Sequence, residues 1–237
     1  LKIEKSNLAN QVGTDEISVD AGGTLFLHAS NTITTYPVIE VVPFEDRVWV
    51  FDVMPSSNVT LTVGGYSTSL ISDSDGWVHF DISGSHDIVP GEVVTVDDGY
   101  GTASHTVTSL AITNVDEAED QIRGTADPLV ELEVYGCDDS DCEWLYPTAD
   151  SEGEWLADFS TIPFDITSGV SGWAIEHDVD WNRTVVYWYI PDPYMRVYPL
   201  GDYINANDWS PNTAVTLTID STHVFNATTD SDGYVYI

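Results

Sequence analysis

Apolar and polar residues alternate along most of this chain in short stretches. The clearest are Val59-Thr-Leu-Thr-Val63, Trp77-Val-His-Phe-Asp-Ile82, Glu92–Val96 and His105–Leu110. A period of two places successive side chains on opposite faces of a strand, so these stretches predict half-buried β-strands. Asn, Asp, Gly and Pro interrupt them every roughly 8–15 residues, the rhythm of an antiparallel sandwich. No stretch has the 3.6-residue period of an amphipathic helix, and strands do not alternate with helices. Residues 37–110 therefore read as one sandwich module. Residues 111–192 read as a second of different type, with strands at Ala111–Asn114, Gln121–Thr125, Val130–Tyr135, Glu143–Tyr146, Trp155–Phe159, Trp173–His177 and Thr184–Ile190. Seven short strands is the count of an immunoglobulin-like fold.

A repeat then reorganises the picture. The segment from Pro193 aligns with that from Pro37 for 27 positions without a gap, at an offset of 156. Ten positions are identical, including Val59-Thr60-Leu61-Thr62 over Val215-Thr216-Leu217-Thr218. After a one-residue insertion, Asp73-Ser-Asp-Gly-Trp77 matches Asp230-Ser-Asp-Gly-Tyr234. The second copy stops at Ile237, where the first continues, so residues 193–237 are expected to form an incomplete module. Residues 1–36 carry strand candidates at Glu16–Asp20 and Thr24–His28 around Ala21-Gly22-Gly23, and a third at Thr32–Tyr36. In type and order they resemble the half-module missing after Ile237. The expected division is thus 1–36, 37–110, 111–192 and 193–237, in an all-β chain of tandem immunoglobulin-like sandwiches.

Charge narrows the partners. Forty Asp and Glu face six Lys and Arg, a formal −34 over 237 residues. A phosphate backbone needs a basic surface, which excludes nucleic acid, and an anionic membrane surface is equally unfavourable. An acidic surface either binds cations or keeps the protein soluble in salt or outside a cell. No run approaches 18 apolar residues, so membrane insertion is not expected. No leader pattern precedes the chain, which reads as a processed form or an excised fragment.

One family resemblance rests on particular residues. Ile122-Arg-Gly-Thr-Ala-Asp-Pro128, then Asp150-Ser-Glu-Gly-Glu-Trp155, then the aromatic strand and linker Tyr187-Trp-Tyr-Ile-Pro-Asp-Pro193, resemble acidic tandem repeats of bacterial cell-surface proteins. In those a G-T-A-D/E-P-G turn leads to a D-G-x-W hairpin. Leu129 stands where that turn has Gly. The resemblance implies an immunoglobulin-like fold and a surface location, and it implies no catalytic residues.

Candidate chemistry is sparse. The turns Asp73-Ser-Asp75-Gly, Asp150-Ser-Glu-Gly and Asp230-Ser-Asp232-Gly supply the positive φ of a tight hairpin, and they are also a possible source of calcium ligands. The EF-hand spacing fails at its sixth and twelfth positions. Carboxylates flanking the module joints, Asp116 and Asp120 on one side and Asp178, Asp180, Asp192 and Asp202 on the other, form a second calcium expectation. Cys137 and Cys142 suit a disulfide across a hairpin tip, because structural zinc would need four ligands. Such a bond implies an oxidising, extracellular compartment. Asn58, Asn182 and Asn226 head glycosylation acceptor patterns. No nucleophile, metalloprotease or phosphate-loop motif occurs, so an enzyme is not expected.

These readings converge on a structural subunit of an extracellular filament or cell-surface fibre. It would be a head-to-tail homopolymer in which the N-terminal segment of one copy completes the C-terminal half-module of the next. The alternative is a carbohydrate- or surface-binding segment of a large adhesin. Its eight tryptophans would stack on surface glycans.

Overall fold

The computed structural model describes residues 16–20, 24–28, 35–138 and 140–237. Contacts divide the chain into two compact units, residues 1–108 with 177–184, and residues 109–176 with 185–237. The expected third strand at Thr32–Tyr36 falls mostly outside the described residues.

The first unit begins with a two-stranded antiparallel sheet of β1 (Glu16–Asp20) and β2 (Thr24–His28), closed at Asp20 opposite Thr24. Seven strands follow: β3 (Val38–Val42), β4 (Arg47–Phe51), β5 (Asn58–Val63), β6 (Tyr66–Ile71), β7 (Val78–Asp81), β8 (Val93–Asp97) and β9 (Thr102–Thr106). The first, second and fifth of these pair as β3-β4-β7, and the others as β6-β5-β8-β9. That is an immunoglobulin-like sandwich. Its inward positions follow the alternation of the sequence: Ile39, Val41, Val48 and Val50 on one sheet meet Val59, Leu61, Val63, Val94 and Val96 on the other, with Phe80 between them. The strand expected at His105–Leu110 instead runs Thr102–Thr106, because His105 is turned inward onto polar partners.

The second unit repeats the order, although the last residue of its sixth strand and the first two of its seventh are counted with residues 177–184 in the first. Its strands are β10 (Ala111–Asp116), β11 (Gln121–Thr125), β12 (Leu132–Cys137), β13 (Cys142–Leu145), β14 (Glu154–Asp158), β15 (Ser171–His177) and β16 (Arg183–Tyr189). They pair as β10-β11-β14 and β13-β12-β15-β16, the same first-second-fifth and fourth-third-sixth-seventh arrangement. Ile122, Leu132, Val134, Trp155, Phe159 and Ile166 form the core. Beyond it lie β17 (Tyr194–Tyr198), β18 (Tyr203–Asn207), β19 (Ala214–Ile219), β20 (His223–Thr228) and β21 (Val235–Tyr236), paired as β17-β18-β21 and β19-β20. This third set contains the first five strand positions of the module. The last two are not among residues 193–237.

One turn recurs in all three sets. Asp73, Asp150 and Asp230 each accept, through Oδ1, the backbone N–H groups two and four residues on, at 2.8–3.0 Å. The glycine that follows, Gly76, Gly153 or Gly233, has φ of 79°, 84° or 71°. Its carbonyl accepts from Val53, Ala126 or Trp209 at 2.8–3.2 Å. A Cβ there would sit 1.9–2.5 Å from the carbonyl oxygen of that same partner. Only glycine meets both demands.

Candidate functional site

In the first unit a buried relay joins residues far apart in sequence. His105 Nδ1 lies 2.9 Å from Asp178 Oδ2, and its Nε2 lies 2.9 Å from Thr184 Oγ1. Thr184 Oγ1 also accepts the Thr108 N–H at 3.1 Å. Neutral His105 satisfies every group, with Nδ1–H donating to the carboxylate and Nε2 accepting from the threonine hydroxyl. Burial opposes the charge of Asp178. Hydrogen bonds from His105, Asn182 and the Asp180 N–H outweigh it and hold the carboxyl below its ordinary value. The order Asp–His–Thr is that of a nucleophilic triad. Here His105 is 1% exposed and Thr184 fully buried, so the hydroxyl has no opening to a substrate. The relay fixes residues 177–184 within the first unit. Asn182 assists: its Oδ1 accepts the Ile39 N–H at 2.9 Å and its Nδ2 donates to Asp178. It is 2% exposed, and a glycan on its amide would break these bonds, whereas Asn58 and Asn226 are exposed.

The acidic residues singled out as calcium ligands are scattered through separate turns. Asp73 and Asp230 spend an oxygen closing their hairpins, leaving Asp75 and Asp232 outward. Asp116 accepts the Ala118 and Glu119 N–H groups within its own turn. Asp120 accepts the Ile166 N–H at 2.9 Å. Asp178 belongs to the relay, Asp180 is exposed, and the Asp192 N–H donates to Asp208. Among the described residues no three His, Cys, Asp or Glu side chains converge as metal ligands. Cys137 and Cys142 are disulfide-bonded, directly opposite each other across β12 and β13.

The third strand set is the open site. In the first module Val41 and Val63 are fully buried; their equivalents at the 156-residue offset, Val197 and Ile219, are 56% and 40% exposed. A cavity of about 290 Å³ opens between the sheets, lined by Val197, Tyr203, Ile204, Leu217, Phe225 and Ile237. In the first module β8 pairs with β5, and its Val94 and Val96 are fully buried in the core. A polar socket recurs beside it. Asp46, with φ of 53°, accepts the Ile88 N–H at 2.8 Å, from the loop that leads into β8. Asp120, also with φ of 53°, does the same for Ile166 before β15. Asp202 has φ of 54° and lies at the position of Asp46, and the residue matching Ile88 would follow Ile237.

The β1–β2 hairpin resembles the β8–β9 pair in its strand pattern. Glu16-Ile-Ser-Val-Asp20 parallels Val93-Val-Thr-Val-Asp97 in β8, with Ile17 and Val19 at the register positions of Val94 and Val96. Ile17 is opposite Leu27 and Val19 opposite Leu25, as Val94 is opposite His105 and Val96 opposite Ala103.

The strand order thus defines an array of immunoglobulin-like sandwich modules. No protein-family profile and no curated protein matches the chain. Among solved structures, a tetra-tandem repeat from the extending region of a large adhesion protein is similar at 16% identity and a TM-score of 0.27, over 86% of this chain and 65% of that one. A Ca2+-stabilised adhesin of an Antarctic bacterium, described as helping it bind ice, is similar at 14% and 0.23, over 87% and 66%. A central fibronectin-III array of RIM-binding protein gives 6% and 0.26, over 88% and 90%. The chain spans just under two thirds of the length of the first two. All these scores are low, and the fold assignment stands on the strand order within each module.

Proposed function

We propose that the chain is a non-catalytic structural element of an extracellular filament or cell-surface fibre, assembled head to tail by strand complementation between copies. The open third module carries this reading, because a gap shaped for a β8–β9 pair and a hairpin of that type occur in one chain. The β1–β2 hairpin of one copy fills the gap in the next. In the first module Thr60, Leu61 and Thr62 oppose Asp97, Val96 and Thr95. The same register sets Thr216 opposite Asp20, Leu217 opposite Val19 and Thr218 opposite Ser18 of the neighbouring copy. The added strands bury Val197 and Ile219. Such a contact is heterologous, so it propagates as an open fibre unless its rotation closes.

The acidic composition, the disulfide and the resemblance to bacterial surface repeats support a location outside the cell. Calcium at the joints is a separate refinement of this reading. A melting temperature lowered by chelator and restored by calcium supports it, and an unchanged one removes it.

Removing residues 1–36 tests the assembly. The truncated chain should stay unpolymerised and cap the growth of the full chain, and a peptide of residues 1–36 should bind it. Fibres of unchanged repeat from the truncated chain would overturn the proposal and assign the gap to another occupant, the residues that follow in a longer chain included.

A further inference from the structure

The outward face of the β13-β12-β15-β16 sheet carries one continuous row of aromatic rings across its four strands. Trp144, Tyr135, Trp173 and Tyr187 succeed one another with ring centroids 4.4, 4.1 and 6.4 Å apart. The core lies on the opposite face, where Val134, Ala174 and Trp188 are buried. We propose that this row binds an uncharged polysaccharide laid across the strands.

Three observations choose that ligand. Ring orientation is the first. Tyr135 and Trp173 stack on each other at 21°, Trp144 is tilted 52° from Tyr135 and meets Trp173 edge-on at 5.9 Å, and Tyr187 stands at 88° to Trp173. The residues at the two ends, Trp144 and Tyr187, are 40% and 46% exposed and present that surface to solvent. The apolar C–H face of a pyranose packs on such rings, while its hydroxyls reach polar neighbours at the margin, where Glu133 and Ser171 flank Tyr135 and Trp173 on their own strands.

Size is the second. An aromatic side chain offers about 150–250 Å², so two residues exposed at just under half and two less exposed give roughly 300 Å². A stable protein interface needs about 800 Å² per partner. On one side of the row the next register positions hold Cys137, Cys142 and Ser171, and on the other Glu133 lies opposite a buried Ile175. A narrow linear ligand fits where a globular partner would not.

Charge is the third. A chain of −34 repels uronic and sulfated polymers, which leaves neutral sugars. The disulfide between Cys137 and Cys142, the register pair next to Tyr135 and Trp144 on the same face, pins the β12–β13 hairpin and preorganises that end of the row.

Tryptophan fluorescence and affinity electrophoresis test the site, using β-glucan, galactomannan and arabinoxylan as neutral probes. Polygalacturonate serves as an anionic probe and an arginine-rich peptide as a cationic one. At least one neutral polysaccharide should give a saturable response, with none from polygalacturonate. Trp144→Ala and Tyr187→Ala should each weaken binding roughly tenfold, about 1.4 kcal/mol, with unchanged melting. Trp181→Ala, an exposed tryptophan outside the row, should leave it intact. No response to any neutral polysaccharide, binding unchanged in both row variants, or a response to the arginine-rich peptide alone would each overturn the proposal.

Discussion

Replacing Gly153 by alanine should cost far more than a surface glycine in a turn normally does. The residue has φ of 84°, a region where a Cβ costs about 1–2 kcal/mol. Its added methyl would also sit 2.5 Å from the Ala126 carbonyl oxygen. A backbone atom cannot swing aside, so the loop must move. That movement breaks the 2.8 Å bond from the Ala126 N–H to the Gly153 carbonyl, worth about 1 kcal/mol. The total is about 2–3 kcal/mol. Gly169 is the control in the same unit, with φ of 87° and its nearest neighbouring atom, Asp192 Cβ, at an ordinary 3.7 Å. Gly169→Ala pays the strain alone, about 1–2 kcal/mol. Urea unfolding of the two variants beside the parent reads the difference, and calorimetry should show Gly153→Ala melting several degrees below Gly169→Ala. Equal stability of the two would refute the claim that close backbone approach dictates this recurrent turn.

Further expectations follow from other positions. Leu129, at φ of 63° in an exposed turn, should gain up to about 1 kcal/mol on replacement by glycine, measured by urea unfolding. Asp98 is also depressed: burial works against its charge, but the N–H groups of Met54, Tyr100 and Gly101 and the Thr35 hydroxyl more than compensate. A carboxyl held lower in the folded state than in the unfolded one contributes stability above the unfolded value of about 3.9 and loses it as pH falls through the lower folded value. The first unit should therefore weaken below about pH 4, and Asp98→Asn should flatten that acid limb while lowering stability at neutral pH. The Cys137–Cys142 bond closes so small a loop that reducing it should shift unfolding by about 2 kcal/mol at most, read by melting with and without reductant.

How much was visible in the sequence depended on burial. β5 and β8 could be read from alternation because their inward residues are buried on one face only. β6 was not among the strands read, since Tyr66–Ile71 is an edge strand of Ser, Thr and exposed apolar residues with little burial contrast. The Asp-Ser-Asp-Gly turns were legible as turns because their chemistry is local. The calcium reading of the same aspartates depended on convergence in space, which composition does not encode. The His105 relay was invisible for the same reason: its partners Asp178 and Thr184 lie 73 and 79 residues away. The aromatic row was hidden in strands where tryptophan ordinarily marks a core. Trp155 and Trp188 are core residues, Trp144 and Trp173 are not, and only strand register separates the two kinds.

The most direct test of strand complementation is a disulfide across the proposed junction. With cysteines introduced as Ser18→Cys and Thr218→Cys in one chain, the proposed register sets the two directly opposite each other in neighbouring copies, within reach of a bond. The native Cys137 and Cys142 are already paired and do not compete. Mild oxidation should give a ladder of covalent multimers on a non-reducing gel, collapsing to monomer with reductant, and Ser18→Cys with Thr216→Cys, one pair out of register, should link far less. A chain that stays monomeric under oxidation, or that links equally well out of register, would contradict the account.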